Sequence, residues 1–376
     1  MTSLATNYLD TDHSNHEGSV RHVPTRPSPV SRHELRRYIR EFGGESTSYF
    51  HLQDGVDYFH LRGIGFVSYR EERALLSRMR FVFAKPVCAD VHLNALLDRF
   101  MEWNDVETVF LSADAQFADL LNRRGYRVND MGSDFIIPLD TFKVSGRKMR
   151  HLKAARNLVK HGLTVEERSW SEIDASEVHE LSHAWRQTKK TKHGELKVMT
   201  RPPKFEDEWA VRKFYCFKGN ELLGFVFFDP FFQNGKVLGY TANILRSRPD
   251  AAENGLLDLV ILEAMKVFKE EGAKFVSLGL SPLHNVESDP RENRMVRTLL
   301  EATWKYGNFL YSFQNLSFHK TRYRVPESKL YACTSPNFNP VLGLVLILKT
   351  CGIVPQPWKE LHELSQYRLL QRRQSV

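Results

Sequence analysis

Lys213-Phe-Tyr-Cys-Phe217, Leu222-Leu-Gly-Phe-Val-Phe-Phe-Asp229 and Val237 to Ala242 read as three consecutive strands. Gly219-Asn220 and Asn234-Gly235 stand between them, and such pairs supply the backbone that tight antiparallel turns need. From Gly255 to Glu270 the apolar residues Leu256, Leu259, Val260, Leu262, Met265 and Phe268 recur at helical spacing. Lys274-Phe-Val-Ser-Leu-Gly-Leu280 then reads as another strand. A hairpin followed by a helix and a returning strand predicts an α/β unit, because a crossover helix carries the chain back to a parallel position.

A similar order precedes it. Tyr58 to Arg62, Gly65 to Tyr69 and Arg78 to Ala84 read as strands, Val91 to Trp103 as a helix and Thr108 to Leu111 as a strand. Ala113 to Arg124 reads as a helix and Ser133 to Ile137 as a strand. The order is that of the acetyltransferase-like fold, so the expected class is α/β (α+β) with two tandem GNAT-type domains joined by a basic helix. The expected divisions are a disordered tail over 1–31, a first domain over 32–140 and a linker helix over 141–165. A catalytic domain over 166–335 and an apolar, then basic amphipathic, segment over 336–376 complete them.

The charge is concentrated. Thr141 to Val165 holds seven Lys and Arg and no acid, and Arg186 to Lys204 holds seven more against Glu195 alone. The two runs carry +13 in a chain whose total is +8, leaving −5 elsewhere. Such clustering is the footprint of a polyanion partner, although a solvated face produces the same pattern. Gly146 to Gly162 reads as one helix with Arg150, Lys153, Arg156 and Lys160 on one arc and Leu152, Ala155, Leu158 and Val159 on the other.

Several classes are disfavoured. The N-terminal stretch has no apolar core of a secretory signal. Cys88, Cys216, Cys333 and Cys351 have no paired spacing, which argues against a disulfide framework or a zinc ribbon. Val341 to Val354, bounded by Pro340 and Pro355, is too short to cross a bilayer and suits a buried or interfacial helix. The tail from Trp358 to Arg373 suits a terminal helix on its own domain or on an anionic membrane. His179-Glu-Leu-Ser-His183 has the spacing of a zinc hydrolase helix, but a third ligand is lacking beyond a doubtful Glu206. The turn from Arg246 to Gly255 lacks the small residues that cradle a pyrophosphate, which disfavours coenzyme A.

Taken in order, Tyr240-Thr-Ala-Asn-Ile-Leu-Arg246, Asn254-Gly-Leu-Leu-Asp258, Ser277 to Leu283, Leu310-Tyr-Ser-Phe-Gln-Asn-Leu316, Phe318-His-Lys-Thr-Arg-Tyr323 and Leu330-Tyr-Ala332 form a set. The set resembles the catalytic domain of the aminoacyl-phosphatidylglycerol synthases, also called phosphatidylglycerol lysyltransferases. Met131 to Leu139 and Gly146 to Gly162 are similar to the same family, and the resemblance covers about residues 32–335. It implies two acetyltransferase-like domains, an aminoacyl-tRNA donor and a lipid hydroxyl acceptor, usually that of phosphatidylglycerol. It also implies no cofactor and no metal.

Carried onto this chain, the family's Asp-x-x-Arg becomes Asn243 and Arg246, its basic pair becomes Lys320 and Arg322, and its Gly-Glu before a Tyr-x-Phe strand becomes Gly307-Asn308. Asn243, Arg246, Lys320 and Arg322 are thus the catalytic candidates implied. Arg150, Lys153, Arg156, Lys160, Lys189 and Lys190 are the candidates for substrate or tRNA. The two Asn replacements argue against a cationic amino acid. An aminoacyl ester is already activated, so Arg246, Lys320 and Arg322 would hold phosphate or oxyanion while Asn243 orients the acceptor. The alternative puts Arg246 and Arg322 in structural ion pairs. Asp258 is expected either to place Arg246 or simply to favour the positive helix end.

The family's membrane flippase domain has no counterpart, so the expected form is stand-alone and cytoplasmic, with peripheral contact at the inner membrane face. Alternative readings are transfer to a small molecule or to another lipid, a zinc hydrolase, and a binding module without catalysis.

Overall fold

The computed structural model describes residues 26–74 and 77–354. Most of the N-terminal tail and the Trp358–Arg373 segment therefore lie outside the described residues.

The first half runs α1 (Arg32–Phe42), β1 (Asp57–Leu61), β2 (Gly65–Ala74), β3 (Ser77–Phe83), β4 (Val87–Cys88), α2 (Asp90–Trp103), β5 (Glu107–Ala113), α3 (Ala115–Asn122) and β6 (Arg127–Pro138). Ser31 opens α1 through a capping box with Glu34. The second half runs α4 (Arg150–Asn157), β7 (Leu163–Glu167), α5 (Ala175–Gln187), β8 (Arg212–Lys218), β9 (Glu221–Gln233) and β10 (Lys236–Ser247). It continues through α6 (Leu256–Glu270), β11 (Phe275–Pro282), α7 (Arg294–Tyr306), α8 (Phe313–Thr321), β12 (Glu327–Thr334) and α9 (Pro340–Thr350).

The strands form one mixed sheet in the order β1-β2-β3-β5-β12-β6-β11-β10-β9-β8-β7, with β4 on β2. Among the described residues only β3/β5 and β10/β11 pair in parallel. Each is the crossover that follows an antiparallel meander. The turn between β9 and β10 puts Asn234 and Gly235 at φ 50° and 77°, the left-handed backbone that an Asn-Gly hairpin turn needs. β9 is buried along nearly its whole length because both faces are covered. Phe214, Val226, Phe228 and Tyr240 pack under α6 and Leu152 of α4. Tyr215, Phe225, Phe227 and Ile244 pack under Val178 and Leu181 of α5.

The centre of the sheet departs from a simple tandem arrangement. β12, the last strand, lies between β5 and β6, and β6 pairs antiparallel with β11. Each half thus gives its final strand to the other. The divisions expected at 140 and 166 cut the chain but do not divide this sheet.

Gly132 sits in β6 at the exchange with φ 132°, and a Cβ there would lie 2.3 Å from the Ser281 carbonyl oxygen and 2.9 Å from the Leu283 nitrogen. Gly132→Ala is expected to lower unfolding stability by roughly 2–4 kcal/mol, because backbone rather than a flexible side chain must move. Gly194→Ala, with open space around it and no left-handed φ, should cost no more than about 1 kcal/mol. Paired urea titrations would separate the two.

Two local expectations change, and a third is met. The helix expected over Gly146–Gly162 is α-helical only over Arg150–Asn157, with 3₁₀ turns at Arg147–Met149 and Leu158–His161. The expected Tyr-x-Phe strand near Leu310 is instead a 3₁₀ turn at Gly307–Phe309 leading into α8. Helix wins because Phe313, Ser317 and Lys320, spaced at i, i+4 and i+7, all bury on one face. The Val341–Val354 segment forms α9, capped by Asn339. Its Leu346 is buried with Leu342 and Ile347 beside Met79, Phe81 and Val109 of the first half, and Lys349 pairs with Glu72 at 3.2 Å. No helix among the described residues is long and apolar enough to cross a membrane.

Candidate active site

The parallel pairing of β10 and β11 ends at Thr241 and Ser277. Beyond it β10 shifts register between Ala242 and Ile244, and β11 shifts between Ser277 and Leu280 with Gly279 at φ 76°. The strands diverge, and a cavity of about 400 Å³ occupies the gap. Thr241 to Arg246 and Leu278 to Leu280 line it from the sheet. Leu300 of α7, Leu316 of α8 and Leu344, Ile347 and Leu348 of α9 form an apolar wall. The cavity also reaches Leu111 and Met131, so both halves contribute to it.

Lys320 is buried at the divergence. Its Nζ donates to the carbonyl oxygens of Gly279 at 2.8 Å and Leu280 at 2.7 Å. Burial pulls its pKa down to about 7, with the charge of Asp134 working in the opposite direction. Asp134 itself accepts from Ser46 at 2.6 Å and from Ser277 at 2.8 Å.

Asn243 and Arg246 line the same cavity. Asn243 Oδ1 accepts from Thr200 Oγ1 at 2.6 Å, while its Nδ2 makes no hydrogen bond of normal geometry despite lying close to Asp229. The Arg246 guanidinium is buried, donates to Ser182 Oγ and pairs with Glu195 Oε2 at 2.6 Å. It lies 4.8 Å over the Trp185 ring, which also carries Lys189 Nζ at 4.4 Å. Its Nε has no partner among the described residues.

The two members of the basic pair part company. Residues two apart on a helix point in widely different directions. Lys320 enters the cavity, whereas Arg322 turns to Asp258 at 3.0 Å and does not line it. Asp258 also receives His319 at 3.1 Å and the Tyr323 hydroxyl at 2.9 Å. Burial alone would raise its pKa, but the hydrogen bond and charge of His319 and the Arg322 charge together lower it. Asp258 therefore anchors the end of α8 and does not place Arg246. Lys190 donates to the Asn308 carbonyl, away from the cavity lining.

Arg150, Lys153, Arg156 and Lys160 are exposed and carry no ion pair among the described residues. Their helix packs on α6, with the Ala155 Cβ 3.1 Å from where a Cβ on Gly255 would stand. α4 thus covers the N-terminal end of α6. His179 packs on Phe205 and Trp170, and no group of three metal-ligating residues occurs among the described residues.

Sequence reasoning missed one buried network. Arg201 Nε lies 3.0 and 2.9 Å from the Asp229 carboxylate oxygens, and its guanidinium pairs with Glu208 at 2.9 Å and stacks on Tyr49 at 5.1 Å. Lys213 stands 3.8 Å from Glu208. The available signal was Asp229 closing an otherwise apolar strand, since a fully buried carboxylate requires a cation.

A family model described as phosphatidylglycerol lysyltransferase, C-terminal, matches residues 36–334. The phosphatidylglycerol lysyltransferase of Bacillus subtilis (strain 168) is 22% identical over 342 residues, covering 89% of this chain and 39% of that protein. The chain thus spans about two-fifths of that relative's length. Among solved structures, L-PGS from Bacillus licheniformis aligns with a TM-score of 0.68 at 18% identity, covering 86% of this chain and 97% of that one. A DUF2156 C-terminal domain from Agrobacterium fabrum aligns with a TM-score of 0.67 at 17% identity, covering 86% and 99%. These two likenesses carry the fold, and the family match runs through both halves from within α1 to the last strand. This chain belongs to the phosphatidylglycerol lysyltransferase, C-terminal family.

Proposed function

We propose that this protein is an aminoacyltransferase that moves an amino acid from aminoacyl-tRNA to the hydroxyl of phosphatidylglycerol or a related polar lipid. The observation that carries this reading is a cavity with both characters. Lys320, Asn243 and Arg246 stand on its sheet side, and leucines and Ile347 of three helices form the other wall. The first set suits an ester under attack, the second suits acyl chains. We read the chain as two acetyltransferase-like units joined through α4 that have exchanged their last strands.

The reaction is an ester exchange. The acceptor oxygen bonds to the aminoacyl carbonyl carbon, and the bond from that carbon to the ribose oxygen breaks. The proton leaves the acceptor hydroxyl and ends on the ribose hydroxyl. With a pKa of about 7, Lys320 is substantially neutral near neutrality. Its two N–H groups then satisfy Gly279 and Leu280, and its lone pair is left to take the proton and return it. Arg246 would stabilise the oxyanion and Asn243 would orient the acceptor.

The test is transfer of labelled amino acids from charged total tRNA into a total lipid extract. Labelled lipid that vanishes after RNase pretreatment supports the reading. Tight tRNA binding without labelled lipid would favour a soluble acceptor or a binding module. The basic face of α4 is assigned to tRNA phosphates on the same reading. Lys153→Glu with Arg156→Glu should weaken tRNA binding at least about tenfold and flatten the salt dependence by roughly two ions. Filter binding between low and physiological salt would read both.

A further inference from the structure

We propose that the donor carries an amino acid without a positively charged side chain, lysyl and arginyl esters being rejected by the cavity itself. This rests on the transferase reading above. Among the described residues lining the cavity, Arg186, Lys189, Lys197, Arg201, Arg246 and Lys320 are basic and Glu195 is the one carboxylate. Both Glu195 oxygens are engaged. Oε1 pairs with Arg186 at 3.4 Å and Oε2 with Arg246 at 2.6 Å. Arg201 is neutralised from behind by Asp229 and Glu208, which do not line the cavity.

The other basic groups add no negative charge to the cavity. Lys189 stacks on Trp185, and its pKa is lowered by burial and by the charge of Arg246 beside it. Lys320 donates to the carbonyl oxygens of Gly279 and Leu280 and, substantially neutral near neutrality, brings no negative charge. Asn243 also lines the cavity, and its amide supplies no charge. A lysine or arginine side chain would find no carboxylate lacking a cation in any orientation. It would also meet like charge in a partly dehydrated space, where such contacts are strongly unfavourable. Small neutral side chains avoid both costs, and an aspartyl or glutamyl side chain finds Lys189.

Two measurements on the full chain decide this. Calorimetric titration with non-hydrolysable 3′-aminoacylamido adenosines should rank the alanyl and aspartyl compounds about a hundredfold tighter than the lysyl compound. Matched alanyl-, aspartyl- and lysyl-tRNA should rank the same way in transfer. Asn243→Asp, which returns a carboxylate to the cavity, should narrow the gap for the lysyl analogue. A lysyl analogue that binds as tightly as the alanyl one overturns the proposal, as does failure of every analogue to bind. The binding order holding while no donor gives transfer would fell the transferase reading and leave the selectivity standing.

Discussion

Lys320→Met should reduce transfer by about a thousandfold while leaving the fold intact, because it removes the proton carrier and keeps the volume. Its stability should move in the opposite sense to its activity. In the unfolded chain this lysine titrates near its ordinary value of 10.5, and in the native state near 7. Below pH 7 both states bind the proton and the native state bears the whole burial cost. Between about pH 7 and 10.5 the unfolded state binds more protons, so wild-type stability should rise with pH across that window. The methionine variant should lack this rise. Its two orphaned carbonyls offset part of what it gains at pH 7, so its melting temperature there should be equal or higher. Thermal unfolding at pH 7 and 9.5, alongside turnover, tests the assignment. A variant that keeps turnover within tenfold of wild type would remove Lys320 from the mechanism.

Arg201→Ala should have the largest effect on stability, a loss of about 3–5 kcal/mol. Asp229 is wholly buried, and burial already raises its pKa against the pull of Arg201. Without the guanidinium it must protonate or stay charged beside Glu208, with only Lys213 near. The variant should therefore lose more stability at pH 8 than at pH 5, since protonation in the native state relieves the strain at the lower pH. Arg201→Met combined with Asp229→Leu should recover much of the loss, because removing both charges leaves no unpaired ion. Chemical denaturation of the single and double variants provides the cycle. Equal losses in both would show that packing on Tyr49 matters more than charge.

That Asn243, Arg246 and Lys320 share one cavity was partly legible in the sequence, for reasons particular to each residue. Asn243 and Arg246 lie on the strand that the Asn234-Gly235 turn places in register, so their common location was readable from a motif and a turn. Lys320 and Arg322 looked equivalent on paper. They separate because α8 is a helix, and a helix turns residues two apart to different sides. The segment near Leu310 misled for the same reason, since its aromatic alternation resembles a strand until Lys320 needs to be buried. Arg201 could not be identified as buried from a stretch that reads as a solvent-facing basic run.

The sequence alone determined the units of this protein. Turn dipeptides and the two apolar periods specify local backbone, and local backbone depends on neighbours within a few residues. That was enough for the meander, helix and returning strand in each half, and for the exposed basic face of α4. Only the tertiary structure decided the exchange of β6 and β12, the Arg201–Asp229–Glu208 network and the divergence of β10 from β11 around Lys320. These depend on pairing between residues far apart in the chain, where many partners are compatible with the same local pattern and only simultaneous packing selects one.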